Sequence, residues 1–418
     1  IEGNNLIVTS LGAENDEIRI TSFTNHDLLG IRTEIFKGSE LKDAALGTYQ
    51  TLLTKDPITT GATTIDTFNS DTVTSVKYFV VATDGSDNAQ TDILVVTTDG
   101  TNVGHAVNGT VHATGTTDFV TYNANISGGV VTVTATGSDN VTKLKAHRMA
   151  ILATETNTTA PVNSNQTAFT KQYTSDGATA TTIYELDTSS YRGAEIFVTV
   201  SDGTSNETSQ IYIGYNGSNP FVTTYNVVPA DGSASRNTFS VTHSGTTLSL
   251  KLVNSLSTAT NVFGIASNLG TATTNENDSG IEFIGATTLD TSPVTIDSFD
   301  ITSADFDGAY YTVLVESAND STNENYELAT IQVAAKAGNA NHVQYGQVSD
   351  SQLATFSVNI SGTTVSLTAS GSSAGNTVYA FKLGYDTATA QVDSNVGGFY
   401  TLSRTPTNTD YLWVTYNG

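Results

Sequence analysis

Internal repetition constrains this chain more than any other feature. A unit that recurs at a long period is one supersecondary block used several times. Gly61-Ala62-Thr63-Thr64-Ile65-Asp66-Thr67 recurs as Gly285-Ala286-Thr287-Thr288-Leu289-Asp290-Thr291, and more loosely in Ala180 to Thr188. After each opening comes a strand pair around a polar turn: Lys77 to Val96, Glu195 to Tyr215 and Tyr310 to Ala334. A third element follows. Asn125-Ile126-Ser127-Gly128-Gly129-Val130 to Val133 matches Asn359-Ile360-Ser361-Gly362 to Leu367, with Thr242 to Leu250 as the middle copy. Each copy closes on an apolar run: Leu144 to Leu152, Asn261 to Ala266 and Val378 to Leu383.

The predicted fold is all-β: tandem β-sandwich or jelly-roll-like modules joined by short linkers. The runs Tyr78 to Ala82, Asp92 to Val96 and Val130 to Thr134 are β-branched or aromatic, with period two or a short apolar stretch. Asp84-Gly85, Asp99-Gly100, Asp202-Gly203 and Asn216-Gly217 supply the φ > 0 of tight hairpins. The repeats predict modules at 61–153, 178–270 and 284–386, each with room for about seven or eight strands. They are flanked by 1–60, a partial small β unit plus connector, and by 387–418, the start of a further β unit. Glu155 to Ala168, which holds Pro161, and Thr271 to Ser279 read as extended linkers. The best helical candidate is Ser39 to Leu53, where Leu41, Ala44, Ala45 and Tyr49 have helical spacing around Gly47. The C-terminal run from Tyr400 reads as the first strand of a β unit. Asn5 to Ser10 and Glu17 to Phe23 read as its second half. Either the chain is a slice of a longer array, the preferred expectation, or each subunit completes its neighbour's sheet by strand addition.

Composition narrows the function. Lys and Arg number 16 against 41 Asp and Glu, for a net charge of −25, and only 14% of residues are charged. Phosphate contacts need Lys and Arg, so nucleic acid is not an expected partner. With no cysteine, disulfides, thiolate zinc sites, iron–sulfur clusters and thiol nucleophiles are excluded. No apolar run approaches the ~20 residues that span a bilayer. No charged n-region and apolar h-region follow Ile1, so no secretion signal is expected in this stretch.

Individual residues offer little chemistry. Gly371-Ser372-Ser373-Ala374-Gly375 satisfies G-x-S-x-G, but β-like Val378 to Phe381 follows where a nucleophile elbow needs a helix. His26, His105, His112, His147, His243 and His342 show no i, i+4 pair. Lys143, Lys145, His147 and Arg148 form a small basic spot, which could meet an acidic neighbour and is preferentially read as a solvated edge that discourages sheet pairing. Three acidic sets could ligate a hard cation: Asp84, Asp87 and Asp92; Asp202 and Glu207; Asp320, Asn323 and Glu324. Turns require Asp and Asn on conformational grounds, and turn chemistry is the preferred expectation. Asn108, Asn125 and Asn206 lie in glycosylation sequons of the kind an Asn- and Thr-rich chain produces by chance. Tyr184, Tyr191, Tyr212, Tyr215 and Tyr225 could line a sugar site or a subunit contact, or simply pack a sandwich. No catalytic, cofactor-binding or metal residue is assigned.

Val73 to Val81 leading into Asp92 to Val96, then Asn125 to Gly129, then Ala150-Ile151-Leu152 together resemble repeat modules in virion structural proteins of marine, cyanophage-like tailed bacteriophages. Thr405 to Val414, with Asn417-Gly418 at the turn, resembles the opening strand of small β modules in phage fibre and tail proteins. The resemblance implies a non-enzymatic structural part of an extracellular particle: a fibre, a neck or vertex appendage, or a capsid decoration. Its partners would be sister subunits, other virion proteins and host surface glycans, with no membrane. A bacterial adhesin or filament subunit joined by strand exchange, and a carbohydrate-binding array, are the alternatives.

Overall fold

The protein is described from a computed structural model. The structure describes residues 48–152 and 166–384, apart from 85–87, 116, 141, 216–218, 274–275, 279–280, 302–307, 319–324, 337 and 350. It also describes the strand segments 7–9, 17–23, 31–37, 40–43, 399–401 and 411–416.

Every regular element among these residues is a β-strand. The N-terminal region holds β1 (Ile7–Thr9), β2 (Glu17–Phe23), β3 (Ile31–Lys37) and β4 (Glu40–Asp43). The first module comprises β5 (Thr48–Ile58), β6 (Thr63–Asn69), β7 (Val73–Thr83), β8 (Ala89–Thr98), β9 (Val103–His112), β10 (Val120–Ser127), β11 (Val130–Gly137) and β12 (Thr142–Leu152). The second comprises β13 (Gln166–Thr174), β14 (Thr181–Asp187), β15 (Gly193–Ser201), β16 (Asn206–Tyr215), β17 (Pro220–Pro229), β18 (Asn237–Ser244), β19 (Thr247–Asn254) and β20 (Ala259–Leu269). After the short β21 (Glu276–Asp278) come β22 (Ile281–Thr288), β23 (Val294–Asp300), β24 (Gly308–Glu316), β25 (Tyr326–Lys336), β26 (Asn339–Ser349), β27 (Ala354–Ser361), β28 (Thr364–Gly371) and β29 (Thr377–Gly384). The last two strands are β30 (Phe399–Thr401) and β31 (Tyr411–Tyr416).

The three modules share one topology, so the tandem β-sandwich architecture read from the repeats is the one observed. In each, a five-stranded sheet covers a three-stranded one: β5-β12-β7-β8-β9 over β6-β11-β10, β13-β20-β15-β16-β17 over β14-β19-β18, and β22-β29-β24-β25-β26 over β23-β28-β27. All neighbours are antiparallel. The hairpin between the last two strands of the small sheet turns on Gly128-Gly129, both at positive φ, and on Gly245 and Gly362 in the other copies. The crossover from the large sheet to the small is pinned at an equivalent position each time. Gln90 Oε1 accepts the Phe119 and Val120 N–H groups, Glu207 Oε2 accepts that of Arg236, and Glu327 Oε2 accepts those of Leu353 and Ala354. Burial pushes the Glu327 carboxyl above its usual range, against the pull of those donors.

Three segments of the chain fold differently from expectation. The third copy of the opening heptapeptide is offset. Gly285 to Thr291 falls at the end of β22 and in the following loop, and the strand equivalent to Thr63–Asn69 is Val294–Asp300. The proper match is Thr64-Ile65-Asp66 with Thr295-Ile296-Asp297. Both strands carry the register shift that brings this Asp inward. The helical candidate at 39–53 is also absent, because 40–43 and 48–58 are strands and Thr48–Ile58 ladders along β12. Thr48, Tyr49, Thr51 and Thr54 suit that ladder better than a helix broken by Gly47. Of the presumed linkers, 166–168 begins β13 and 276–278 forms β21. Residues 155–165 lie outside the described residues.

The modules are not independent. Each sandwich has its own core: Val76, Val80, Val131 and Val133 in the first, Ile196, Val198, Leu248 and Leu250 in the second, Val313, Ile331, Val365 and Leu367 in the third. A fourth core is drawn from all three and includes Phe79, Val95, Phe197, Tyr212, Ile265, Tyr310, Leu328 and Phe381. The inner strands β7, β8, β15, β16, β24 and β25 are therefore buried on both faces, as their nearly unbroken apolar runs require. Strands of equal rank meet across modules: β12 with β20 and β20 with β29; β8, β16 and β25 with one another; and β9, β17 and β26 likewise. The three large sheets thus enclose a three-faced prism, with strands running across its axis.

The contacts at the corners repeat cyclically. The start of β7 meets the end of β15, with Ser75 Oγ 2.5 Å from Thr199 Oγ1. The start of β15 meets the third module, where a Cβ on Gly193 would lie 2.7 Å from Leu328 Cδ1. The start of β24 meets the first, where Gly308 faces Thr91 and Val81. A head-to-tail contact that closes after three steps gives a ring. At the far end β31-β2-β3-β4 extends the sheet beyond β5, and β1 pairs β30, so the two half-units seen in the sequence join each other within one chain.

Each fifth strand carries one left-handed residue at a bulge: Gly109 (φ 64°), Asn226 (55°) and Gly346 (63°). Gly109 lies against the third module, and a Cβ there would sit 2.6 Å from the Tyr345 hydroxyl. Gly109→Ala should cost about 2–3 kcal/mol, combining left-handed strain with a clash. Gly128→Ala, with a similar φ but open space around it, should cost only about 1 kcal/mol. Chemical denaturation of both variants checks this, and equal losses would show that the inter-module approach adds nothing.

Candidate functional site in the shared core

Lys77, Glu195 and Tyr310 occupy the same position of the same strand in the three modules, shown by their register opposite Val95, Tyr212 and Gln332. The cyclic closure brings all three together inside the prism. Lys77 Nζ donates to Glu195 Oε1 at 2.6 Å, with both side chains only 3% exposed. The Tyr310 hydroxyl donates to the same oxygen at 2.7 Å, and Gln210 Nε2 at 3.0 Å. Thr312 Oγ1 donates to the other carboxylate oxygen. Lys77 Nζ also lies 4.4 Å from the centre of the Tyr310 ring. Burial alone would raise the Glu195 pKa, but the Lys77 ammonium and the hydroxyl donors outweigh it and hold the carboxyl below its usual value. Burial and the nearby carboxylate push the Tyr310, Tyr212 and Tyr225 phenols well up, so they stay neutral.

A second polar arrangement sits inside the first and third sandwiches. Tyr78 donates to Asp66 at 2.5 Å, and Arg148 Nε lies 2.9 Å from the same carboxylate oxygen. In the third module Tyr311 donates to Asp297 at 2.6 Å and Lys382 Nζ lies 2.7 Å from it. Lys382 has a further carboxylate, Glu282, at 2.9 Å. The registers place Ile196, Tyr184 and Ala266 at these positions in the second module, so it fills the same space without a charge.

The residues singled out in the sequence disperse. Gly371 ends β28 and Ser372 to Gly375 lie in the loop before β29, where Ser372 N–H donates to Leu353 O at 2.8 Å. His112 lies 3.1 Å from Asp118, His243 stacks on Tyr215 with centroids 3.7 Å apart, His105 is exposed, and burial lowers the pKa of His342. His26 lies outside the described residues. The basic spot is not a solvated edge. β12 lies between β5 and β7 and is covered on both faces, so His147 beside Phe79 and Arg148 beside Tyr78 point to opposite sides and are still each 1% exposed.

Asp84 takes the Asn88 N–H and side chain, and Asp202 takes the Thr204 and Ser205 N–H groups, each within its own turn. Asp92 is buried within β8, where Thr110, Tyr122 and Gln90 donate to it. Glu207 holds the crossover. Asp87, Asp320, Asn323 and Glu324 lie outside the described residues. Among the described residues no group of three His, Asp or Glu could hold a metal ion. Tyr184, Tyr191 and Tyr212 are buried. Tyr225 packs 4.9 Å from Tyr212 at the shared core, and Tyr215 covers His243, so these five form no open groove. Asn206 is buried with its Nδ2 donating to Thr98 O of the first module, while Asn125 is exposed.

The shared core has the chemistry of a lock. The Glu195 carboxylate and the Lys77 ammonium neutralise each other at near-full burial, and the donors from Lys77, Tyr310 and Thr312 tie the second module's sheet to those of the first and third. Sequence reasoning passed over Lys77 and Glu195, although a lone charge within an apolar strand is the signal that marks such a pair. Comparison with known protein families, with curated proteins and with solved structures finds no match for this chain.

Proposed function

We propose that this chain is a structural, non-enzymatic element of a tailed-phage virion: a fibre segment, a neck or vertex appendage, or a decoration. One observation carries the reading. Three tandem sandwiches close on a common core held by a buried charge pair, an arrangement suited to bearing load and poorly suited to admitting a substrate. Sequence supplies the particle. The β modules and the terminal strands resemble those of phage fibre and tail proteins, and the low charged fraction suits a body whose neighbours cover its faces. Sister subunits and other virion proteins are the partners this reading names, with host surface glycans at exposed loops.

Mass spectrometry of purified particles from a lysate should find peptides of this chain at a stoichiometry fixed relative to the major capsid protein. Peptides confined to the soluble fraction would remove the virion reading.

A further inference from the structure

Each module has two open sheet edges at the same end of the prism. Among the described residues β9, β17 and β26 ladder only with β8, β16 and β25, and β10, β18 and β27 only with β11, β19 and β28. None of these six strands contains an Asp, Glu, Lys or Arg, in a chain of which 14% is charged. At the opposite end of the modules β4 and β21 pair β5 and β22, and the open strands there carry charge: Lys171 on β13, Glu185 and Asp187 on β14, and Asp300 on β23, with Asp66 of β6 turned into its sandwich. Exposed edges are ordinarily blunted with charge, Lys above all, so that they do not pair with another chain. The six strands at this end have no such protection.

That end is also where apolar side chains surface. Val107 on β9 and Val227 on β17 are 39% and 38% exposed, two of only three large hydrophobic residues so placed among the described residues. The shared core runs out to it through the half-buried Ala106, Tyr225 and Tyr345. Charge sits at the rim, where Asp118 is exposed and Asp231 pairs with Arg236. An uncharged centre with a polar rim is the layout of a protein interface.

We infer that two copies of this chain associate end to end through this face, with their prism axes in line. The occupant follows from charge. Each copy carries −25, so two copies repel over most of their surfaces and approach most easily where neither presents a charge. A two-fold axis across the prism sets edge against edge in antiparallel sense, the geometry that extends a ladder. The bulges at Gly109, Asn226 and Gly346 interrupt the edges, so regular pairing is limited to 103–108, 220–225 and 339–345. The same face is used by both copies, so the contact closes as a pair and does not propagate. This rests on the structural reading above and adds the surface through which a sister subunit is met.

The test is the mass of the intact chain in solution by sedimentation and light scattering over about a hundredfold range of concentration. The mass should rise from 43.8 kDa to twice that value, and added salt should strengthen association by screening the repulsion. Val107→Lys with Thr224→Lys, equivalent exposed positions on β9 and β17, should weaken pairing at least about tenfold and leave the thermal melt unchanged at concentrations where both proteins are monomeric. Gln172→Lys, on the exposed side of β13, should leave pairing intact. A monomer at every concentration, or a dimer indifferent to the double lysine variant, overturns the inference. Neither result bears on whether the chain is found in purified particles, so the two readings fail separately.

Discussion

Replacing Glu195 with alanine should destabilise the whole protein by about 3–5 kcal/mol, the usual loss when one member of a buried ion pair is removed. The change leaves the Lys77 ammonium 3% exposed without its carboxylate, and takes the acceptor from Tyr310, Gln210 and Thr312. Because the pair lies where three modules meet, the loss should be felt in all of them. Fluorescence of buried tyrosines and far-UV circular dichroism should shift together in urea, in a single transition. The double variant Lys77→Met with Glu195→Met removes the stranded charge and should recover part of the loss. It should not recover all, since the neutral donors still lack an acceptor, at about 1 kcal/mol or more each.

Acid should act in the same direction. The folded Glu195 pKa lies below its ordinary value of 4.5, so its contribution is present above that value and is lost as pH falls through the lower, folded one. Glu195→Gln should flatten that part of the acid limb. A single-residue loss below about 1 kcal/mol, or separate transitions for the three modules, would show that the pair does not join them.

The paired carboxylates inside the first and third sandwiches should behave unequally. Asp66→Ala removes the counter-ion from Arg148 Nε, which is 1% exposed, and the acceptor from Tyr78, and should cost about 3–5 kcal/mol. Asp297→Ala removes the corresponding group from Lys382 and Tyr311, but Glu282 remains 2.9 Å from the ammonium. Its cost should be nearer about 1–3 kcal/mol, mostly the orphaned phenol. The second module supplies the internal control. Ile196, Tyr184 and Ala266 take the three positions, and that sandwich retains a continuous core of Ile, Val and Leu. An uncharged replacement in the first module, Tyr78→Ile with Asp66→Tyr and Arg148→Ala, together with Ala150→Asn to supply the acceptor that Asn268 gives Tyr184, should therefore be milder than Asp66→Ala alone. Equal losses for Asp66→Ala and Asp297→Ala would rule out the role given to Glu282.

Periodicity made the sandwiches legible. Strands such as Val130–Gly137 alternate in and out, and their Gly-Gly turn announces a hairpin. The unbroken apolar runs of β7, β15 and β24 were read as strands, but their meaning was only half available. A strand buried on both faces needs a second partner, and nothing in a linear pattern says whether that partner is a helix, another chain or the next repeat. The offset third opening failed for a related reason. Gly285 to Thr291 copies the Thr-rich composition of Gly61 to Thr67, whereas the structural equivalence lies in an Asp that must meet a Tyr and a cation from distant strands. Arg148 was misplaced because neighbouring Lys143 and Lys145 suggested a basic surface. Alternation along a central strand carries Arg148 inward, while Lys143 stays 62% exposed beside Asp56.

The unlike trio of Lys77, Glu195 and Tyr310 depends on the modules being covalently joined. In an assembly of three identical chains, every substitution at the axis occurs three times, so a lysine there means three ammonium groups in mutual repulsion. One gene copy encoding all three modules removes that restriction. Each face can then mutate alone, and a position on the axis can be cationic once, anionic once and aromatic once. Asymmetry of this kind lets a three-faced body offer three different outer surfaces to its surroundings while keeping one frame.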